Sequence, residues 1–179
     1  MDLGVSVSSG DATEWIAFKP QVNAWLMDSE EHEMKGCLLD PSTLKTGWIK
    51  IAKGEGADCH WDESVGAYRT NPRPSDDHRR GFQIMLYIKD HGWKQWQSNG
   101  VGPFQGLQGI FSKLGTDIEK NEGKVVQLKY TGSEVNDQGK GVTRVPQFEI
   151  LGWTDNPVNE EEQSKDMASL SSADDEDLF

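Results

Sequence analysis

Apolar and polar positions alternate most clearly in the middle of the chain. In "GFQIMLYIK" (81–89), Phe82, Ile84, Leu86 and Ile88 fall on one face. Gln83, Met85, Tyr87 and Lys89 fall on the other, the period-two signature of a half-buried strand. "TGWIKIAK" (46–53) alternates too, with Ile49 and Ile51 on one face and Trp48, Lys50 and Ala52 on the other. "KDHG" (89–92) signals a turn, and "WKQWQS" (93–98) is the returning strand. In "FQGLQGIFSKLGTDIEK" (104–120), Phe104, Leu107, Ile110, Phe111, Leu114 and Ile118 have helical spacing, against the weakening effect of three glycines. "GKVVQLKYTG" (123–132) places Val126, Leu128 and Tyr130 on one face, and "VPQFEILGW" (145–153) is a last strand whose Pro146 marks an edge or a strand start.

The order is strand, long insertion, hairpin, helix, hairpin. This predicts a mainly β chain built on an OB-fold, a five-stranded Greek-key barrel with one helix between strands 3 and 4. Residues 54–79 stand where the loop between strands 1 and 2 belongs, and 132–144 where the loop between strands 4 and 5 belongs. Those loops and the face between them hold oligonucleotides or oligosaccharides in such barrels. The expected organisation is an N-terminal extension packed on the barrel (1–44), the OB domain (45–153) and a tail (154–179). The tail has no aromatic residue before Phe179 and no sustained periodicity, so it is expected to be disordered.

Composition adds bounds. A length of 179 residues suits one domain with appendages, and an apolar content of 35% leaves part of the chain outside any core. No apolar run reaches the length of a membrane span, and "MDLGVSVSSGDATEW" lacks the basic and apolar regions of a signal peptide. Two cysteines, Cys37 and Cys59, make no disulfide framework, so a reducing cytoplasm is expected, with no membrane contact. The net charge of −12 argues against a polyanion partner until it is resolved along the chain. Residues 1–40 carry −6, residues 41–153 carry +2 and residues 154–179 carry −8. Screening over about 8 Å at physiological salt lets a local basic stripe on the middle segment act despite the total.

That segment carries the candidate chemistry. Trp48 lies beside Lys50 and Tyr87 beside Lys89, each on the strand face opposite the Ile/Leu face. Two readings stand for these rings: stacking on nucleic-acid bases with the lysines along the phosphates, or packing under the N-terminal extension. Trp93 and Trp96 fall on opposite faces of their strand, one in the core and the other outside, which the pattern leaves open. Trp15, Trp25 and Trp153 sit among apolar neighbours and read as core. Trp61 in the long insertion is either a flap over a ligand or a packing anchor. "YRTNPRPSDDHRRGF" (68–82) holds Arg69, Arg73, Arg79 and Arg80, four of the five arginines, and Arg144 ends the other loop. Arginine pairs bidentately with phosphate and stacks on bases, although Asp76 and Asp77 dilute the cluster. Enzyme chemistry is weakly represented. Cys59, His60, Asp62, Asp76, Asp77 and His78 match no zinc-module spacing, and "GKGVTR" is not a P-loop, so no metal, cofactor or catalytic residue is expected.

The chain ends Asp174-Asp175-Glu176-Asp177-Leu178-Phe179. This ending, with an OB order bearing outward aromatics and bases, resembles single-stranded DNA-binding proteins of the bacterial and phage kind. The missing proline before the final Phe makes it more similar to the phage variety. The resemblance implies a non-catalytic protein that coats single-stranded DNA (ssDNA) in replication, recombination and repair, as a monomer or homodimer in the cytoplasm of a bacterial or phage-infected cell. The faces and bases read above place the expected DNA contacts at Trp48, Lys50, Arg79, Arg80, Tyr87, Lys89, Trp93 and Lys94. Asp174, Asp175, Glu176, Asp177, Leu178 and Phe179 would dock replication or recombination proteins and compete for the basic groove when DNA is absent. The alternatives are an acidic OB-type adaptor that binds only protein and, third, a metal-dependent nuclease.

Overall fold

The structure is a computed structural model and describes residues 14–52, 56–65, 72–137 and 142–157. The strands are β1 (Glu14–Lys19), β2 (Ala24–Met27), β3 (Glu30–His32), β4 (Gly36–Ala52), β5 (Gly56–Trp61), β6 (Arg79–Ile88), β7 (Gly92–Ser98), β8 (Lys124–Asp137) and β9 (Val142–Asp155). Two helices, α1 (Val101–Leu114) and α2 (Asp117–Lys120), lie between β7 and β8. The nine strands form one sheet in the order β9-β8-β4-β6-β7-β1-β2-β3, with β5 paired to β4. Among the described residues all pairings are antiparallel except β1 with β7. The sheet curls into a half-barrel.

The alternation in β6 decides which face is concave. Phe82, Ile84, Leu86 and Ile88 are all buried, together with Trp96, Leu39, Val126, Leu128 and Phe148 from neighbouring strands. Leu107, Ile110 and Leu114 of α1 close the core, as their helical spacing predicts. Trp25 sits at its centre, with ring centroids of Phe18, Trp96, Tyr130 and Phe148 at 5.2–6.0 Å. The predicted 104–120 helix begins earlier, at Val101, and breaks at Gly115–Thr116. Gly106, which weakens the helix in isolation, has a packing role: a Cβ there would lie 2.7 Å from the Pro146 carbonyl oxygen, so its absence lets α1 lie directly on β9.

Three predicted boundaries change. The strand expected to start at 46 starts at Gly36, so the expected border at 44/45 falls inside β4. The strand absorbs Asp40, Pro41 and Ser42 as a bulge, the place a central strand tolerates proline. Between the Asp40–Met85 and Lys45–Gln83 pairs, β4 advances five residues and β6 two. Asp40 Oδ1 accepts from the Ser42 N–H and hydroxyl, and Thr43 Oγ1 donates to the Asp40 carbonyl and accepts from the Met85 N–H. Three extra residues are an odd number, so inward and outward positions exchange across the bulge. Second, the 54–79 insertion contributes a strand, β5, which pairs back on β4 from Gly47–Trp61 to Ala52–Gly56. Third, the expected 132–144 loop is largely a hairpin, since β8 runs to Asp137 and β9 starts at Val142.

The close approach of β4, β6 and the segment after β7 depends on Gly81. A Cβ there would lie 2.5 Å from the Ser98 carbonyl oxygen and 2.6 Å from Ile49 Cδ1. Gly81→Ala is therefore expected to destabilise the protein by about 1–3 kcal/mol through overpacking, read as a lower urea midpoint with unchanged m.

Candidate nucleic-acid interface

The bulge and the register divide the eight expected contact residues among three places. The first is the convex face of the sheet. Tyr87 and Trp93 are directly opposed on β6 and β7, in an edge-to-face contact with centroids 5.4 Å apart. Beside them on the same face run the pairs Met85–Gln95 and Gln83–Gln97. Gln95 in turn pairs with Trp15 on β1, which brings a third aromatic, 45% exposed, to this face. Trp15 is therefore not core as expected. Its strand "EWIAFK" carried the signal, because Ile16 and Phe18 share one face and Trp15 takes the other. Exposed Arg79 begins β6 on this face, and half-buried Lys89 follows its end. The ambiguity at 93 and 96 resolves with Trp96 in the core, opposite Ile84, and Trp93 outside.

The second place is the end of the half-barrel under the insertion. Trp48 does not share the convex face: it pairs with Arg80, two positions beyond the Thr46–Phe82 pair, on the concave parity. The reason is the odd bulge before Lys45: the alternation read from 46–53 holds, but the bulge puts its Trp48 side and not its Ile49 side on the concave parity. Ile49 is buried on the other face and Ile51 is exposed. The Arg80 guanidinium lies over the Trp48 ring at 5.1 Å, and that of Arg73 at 5.8 Å. Arg80 also makes a bidentate pair with Asp62, whose side chain is wholly buried and takes a further hydrogen bond from Thr46 Oγ1 at 2.6 Å. Arg73 donates to the carbonyls of His78 (2.8 Å) and Asp76 (2.6 Å). Trp48 and Arg80 thus clasp the insertion to the half-barrel. Lys45 Nζ lies 5.9 Å from the Trp61 ring centroid. Lys50 lines a shallow depression with Arg79, Asp77 and Asn99. Alongside, α1 and the strand ends enclose a cavity of about 600 Å³, with Leu44, Val65, Phe104 and Phe111 as apolar lining and Arg79 and Arg80 at its edge.

Lys94 is the third place and a correction. It falls on the concave parity with Trp96, is only 3% exposed, and forms an ion pair with Glu14, with Asp28 Oδ2 at 4.0 Å. Burial pulls its pKa below the usual lysine value. It offers no cation to a ligand at the surface. Since Glu14 is mostly exposed and regains water when its partner leaves, Lys94→Met is expected to be neutral or mildly stabilising, checked by thermal unfolding, and to leave oligonucleotide affinity unchanged.

Arg69 and the tip residues Asp174 to Phe179 lie outside the described residues. Both cysteines are free thiols. Burial pushes Cys37 up to about 12, and burial followed by the Asp58 charge raises Cys59. No helix of the described residues is long and apolar enough to cross a membrane. Compared with protein-family models, curated proteins and solved structures, the chain matches none.

Proposed function

We propose that the chain is a non-catalytic protein that binds single-stranded DNA without reading its sequence, in replication, recombination and repair. The observation that carries this reading is the convex face, where Trp15, Tyr87 and Trp93 share one surface with Gln83, Gln95 and Gln97 between Arg79 and Lys89. Every base has a flat π-face, so such rings accept any base, and the amides can hydrogen-bond to whichever edge is presented. The nine residues from Arg79 to Tyr87 span about 26 Å of strand, room for several nucleotides.

Support for an OB-type barrel comes from the pairing pattern. β4 lies between β6 and β8, β7 follows β6, β9 follows β8, and the helix falls between β7 and β8. In this protein β1 occupies the β7 edge that would close such a barrel against β9. The acidic tip belongs to the same reading, as a handle for replication or recombination enzymes and a competitor for the basic positions, in a bacterial or phage-infected cytoplasm.

The test is a fluorescence titration with oligo-dT and with duplex DNA at several salt concentrations. Tryptophan emission should quench with oligo-dT, and the affinity should fall with log salt at a slope of about −1.4 if Arg79 and Lys89 reach phosphates, at ~0.7 per contact. A salt-independent affinity, or a preference for duplex, would remove this reading. The second reading, an adaptor that binds only protein, draws on the apolar cavity beside α1. It requires that oligo-dT leave the emission unchanged.

A further inference from the structure

The insertion brings His78 onto Asp58 and His60, which lie 20 and 18 residues before it in the sequence. Asp58 and His60 are two residues apart on β5 and so share a face, and His78 comes from the turn entering β6. Both imidazole Nε2 atoms converge on one oxygen: His78 Nε2 is 2.9 Å and His60 Nε2 3.3 Å from Asp58 Oδ2. The three potential ligand atoms all lie within 4.8 Å of one another. These hydrogen bonds hold the Asp58 carboxyl below its usual range, that from His78 contributing most.

We propose that Asp58, His60 and His78 form a Zn²⁺ site that clasps the insertion to the start of β6. Two imidazoles and a carboxylate are a donor set that zinc takes, with its fourth position open to water. Tetrahedral bonds of about 2.1 Å place neighbouring ligand atoms about 3.4 Å apart. The observed separations to Asp58 Oδ2 reach that spacing with shifts of a few tenths of an ångström.

The surroundings of His78 fit the same role. Its side chain is 5% exposed, while those of His60 and Asp58 are 45% and 60% exposed, so the ion would sit on a buried anchor and stay reachable from solvent. Ser75 Oγ lies 2.7 Å from His78 Nδ1. With zinc on Nε2 the proton moves to Nδ1, and the Ser75 hydroxyl turns from donor to acceptor, fixing ring and tautomer as an outer partner does. Arg73 holds the His78 carbonyl at 2.8 Å, so the backbone carrying the ligand is already fixed. The metal would complete a clasp that already includes Arg73 stacked on Trp48, the residue that pairs with His60 in the sheet. The inference stands independently of the DNA-binding reading.

The test is isothermal titration of the full chain, stripped of metal, with Zn²⁺ alone, followed by Co²⁺ for its visible absorption. One-to-one binding at micromolar or tighter affinity, a tetrahedral Co²⁺ spectrum and a thermal midpoint rising with Zn²⁺ are expected. Asp58→Asn and His60→Gln, both at exposed positions, should abolish that binding while the metal-free midpoint stays near wild type. Ser75→Ala should weaken it about tenfold. The chain has a second pair of facing histidines, His32 and His91, with ring centroids 5.6 Å apart. His91→Gln should leave the affinity unchanged. Retained one-to-one binding in Asp58→Asn and His60→Gln, loss of binding in His91→Gln, or binding only at millimolar metal would each overturn the proposal.

Discussion

Trp15→Ala is expected to weaken oligo-dT binding by about 5- to 150-fold, the loss of one base–aromatic stack at ~1–3 kcal/mol. The residue suits the test because it is nearly half exposed and stands on β1 at the margin of the convex face, so its removal opens no cavity in the core. Tyr87→Leu probes the centre of the same face. It keeps an apolar side chain against Trp93 and removes the flat ring, so a similar loss of affinity with little change in stability is expected. In both variants the remaining tryptophans should still report binding, at higher oligonucleotide concentration. If Trp15→Ala and Tyr87→Leu bind oligo-dT as the wild type does, the convex face is not where single strands lie.

Arg80→Ala should act on stability and not directly on ligand affinity. Its removal leaves the Asp62 carboxylate, which has no solvent exposure, without the bidentate counter-charge, and takes the guanidinium off the Trp48 ring. Breaking one half of a buried pair costs about 3–5 kcal/mol, and the low end is expected here because Thr46 still donates to Asp62. The urea midpoint should fall accordingly. Arg80→Lys should recover only part of the loss, since an ammonium cannot reproduce the two-pronged pair. Changing both partners to apolar residues, Arg80→Met with Asp62→Leu, should recover most of it, because no buried charge is then left alone. Oligo-dT affinity per folded molecule should change less than twofold. An unchanged midpoint with a large loss of affinity would return Arg80 to the ligand-contacting set.

Much of the architecture was legible in the order of residues because strands bury alternate positions. The β6 and β7 pattern predicted Phe82, Ile84, Leu86 and Ile88 inward and Tyr87 outward, and a register fixed by a buried face cannot slip by one residue without exposing its whole apolar set. The helical spacing of Leu107, Ile110 and Leu114 likewise follows from one stripe facing one core. The candidate site was legible only where that alternation runs unbroken. It put Tyr87 and Lys89 opposite the apolar face, while Arg79 was read from the arginine cluster and not from any alternation. It failed for Lys94, because a base on the apolar parity is still a base when residues are read singly, and only the Glu14 carboxylate arriving from β1 makes its burial tolerable.

The sequence by itself determined the local periods, the helix between two groups of strands and the separation of charge between the acidic ends and the near-neutral middle. The tertiary structure decided which faces those periods present. The bulge at Asp40–Lys45 exchanges inward and outward positions, so Trp48 turns into the clasp with Arg80 and Asp62 and away from Tyr87. Parallel pairing of β1 with β7, between residues 80 apart in sequence, carries Trp15 to Tyr87 and Trp93. The fold of β5 onto β4 closes Asp58, His60 and His78 around one point. Each of these depends on which strands pair and in what register, and that is set by the burial of the whole sheet and not by any neighbouring residue.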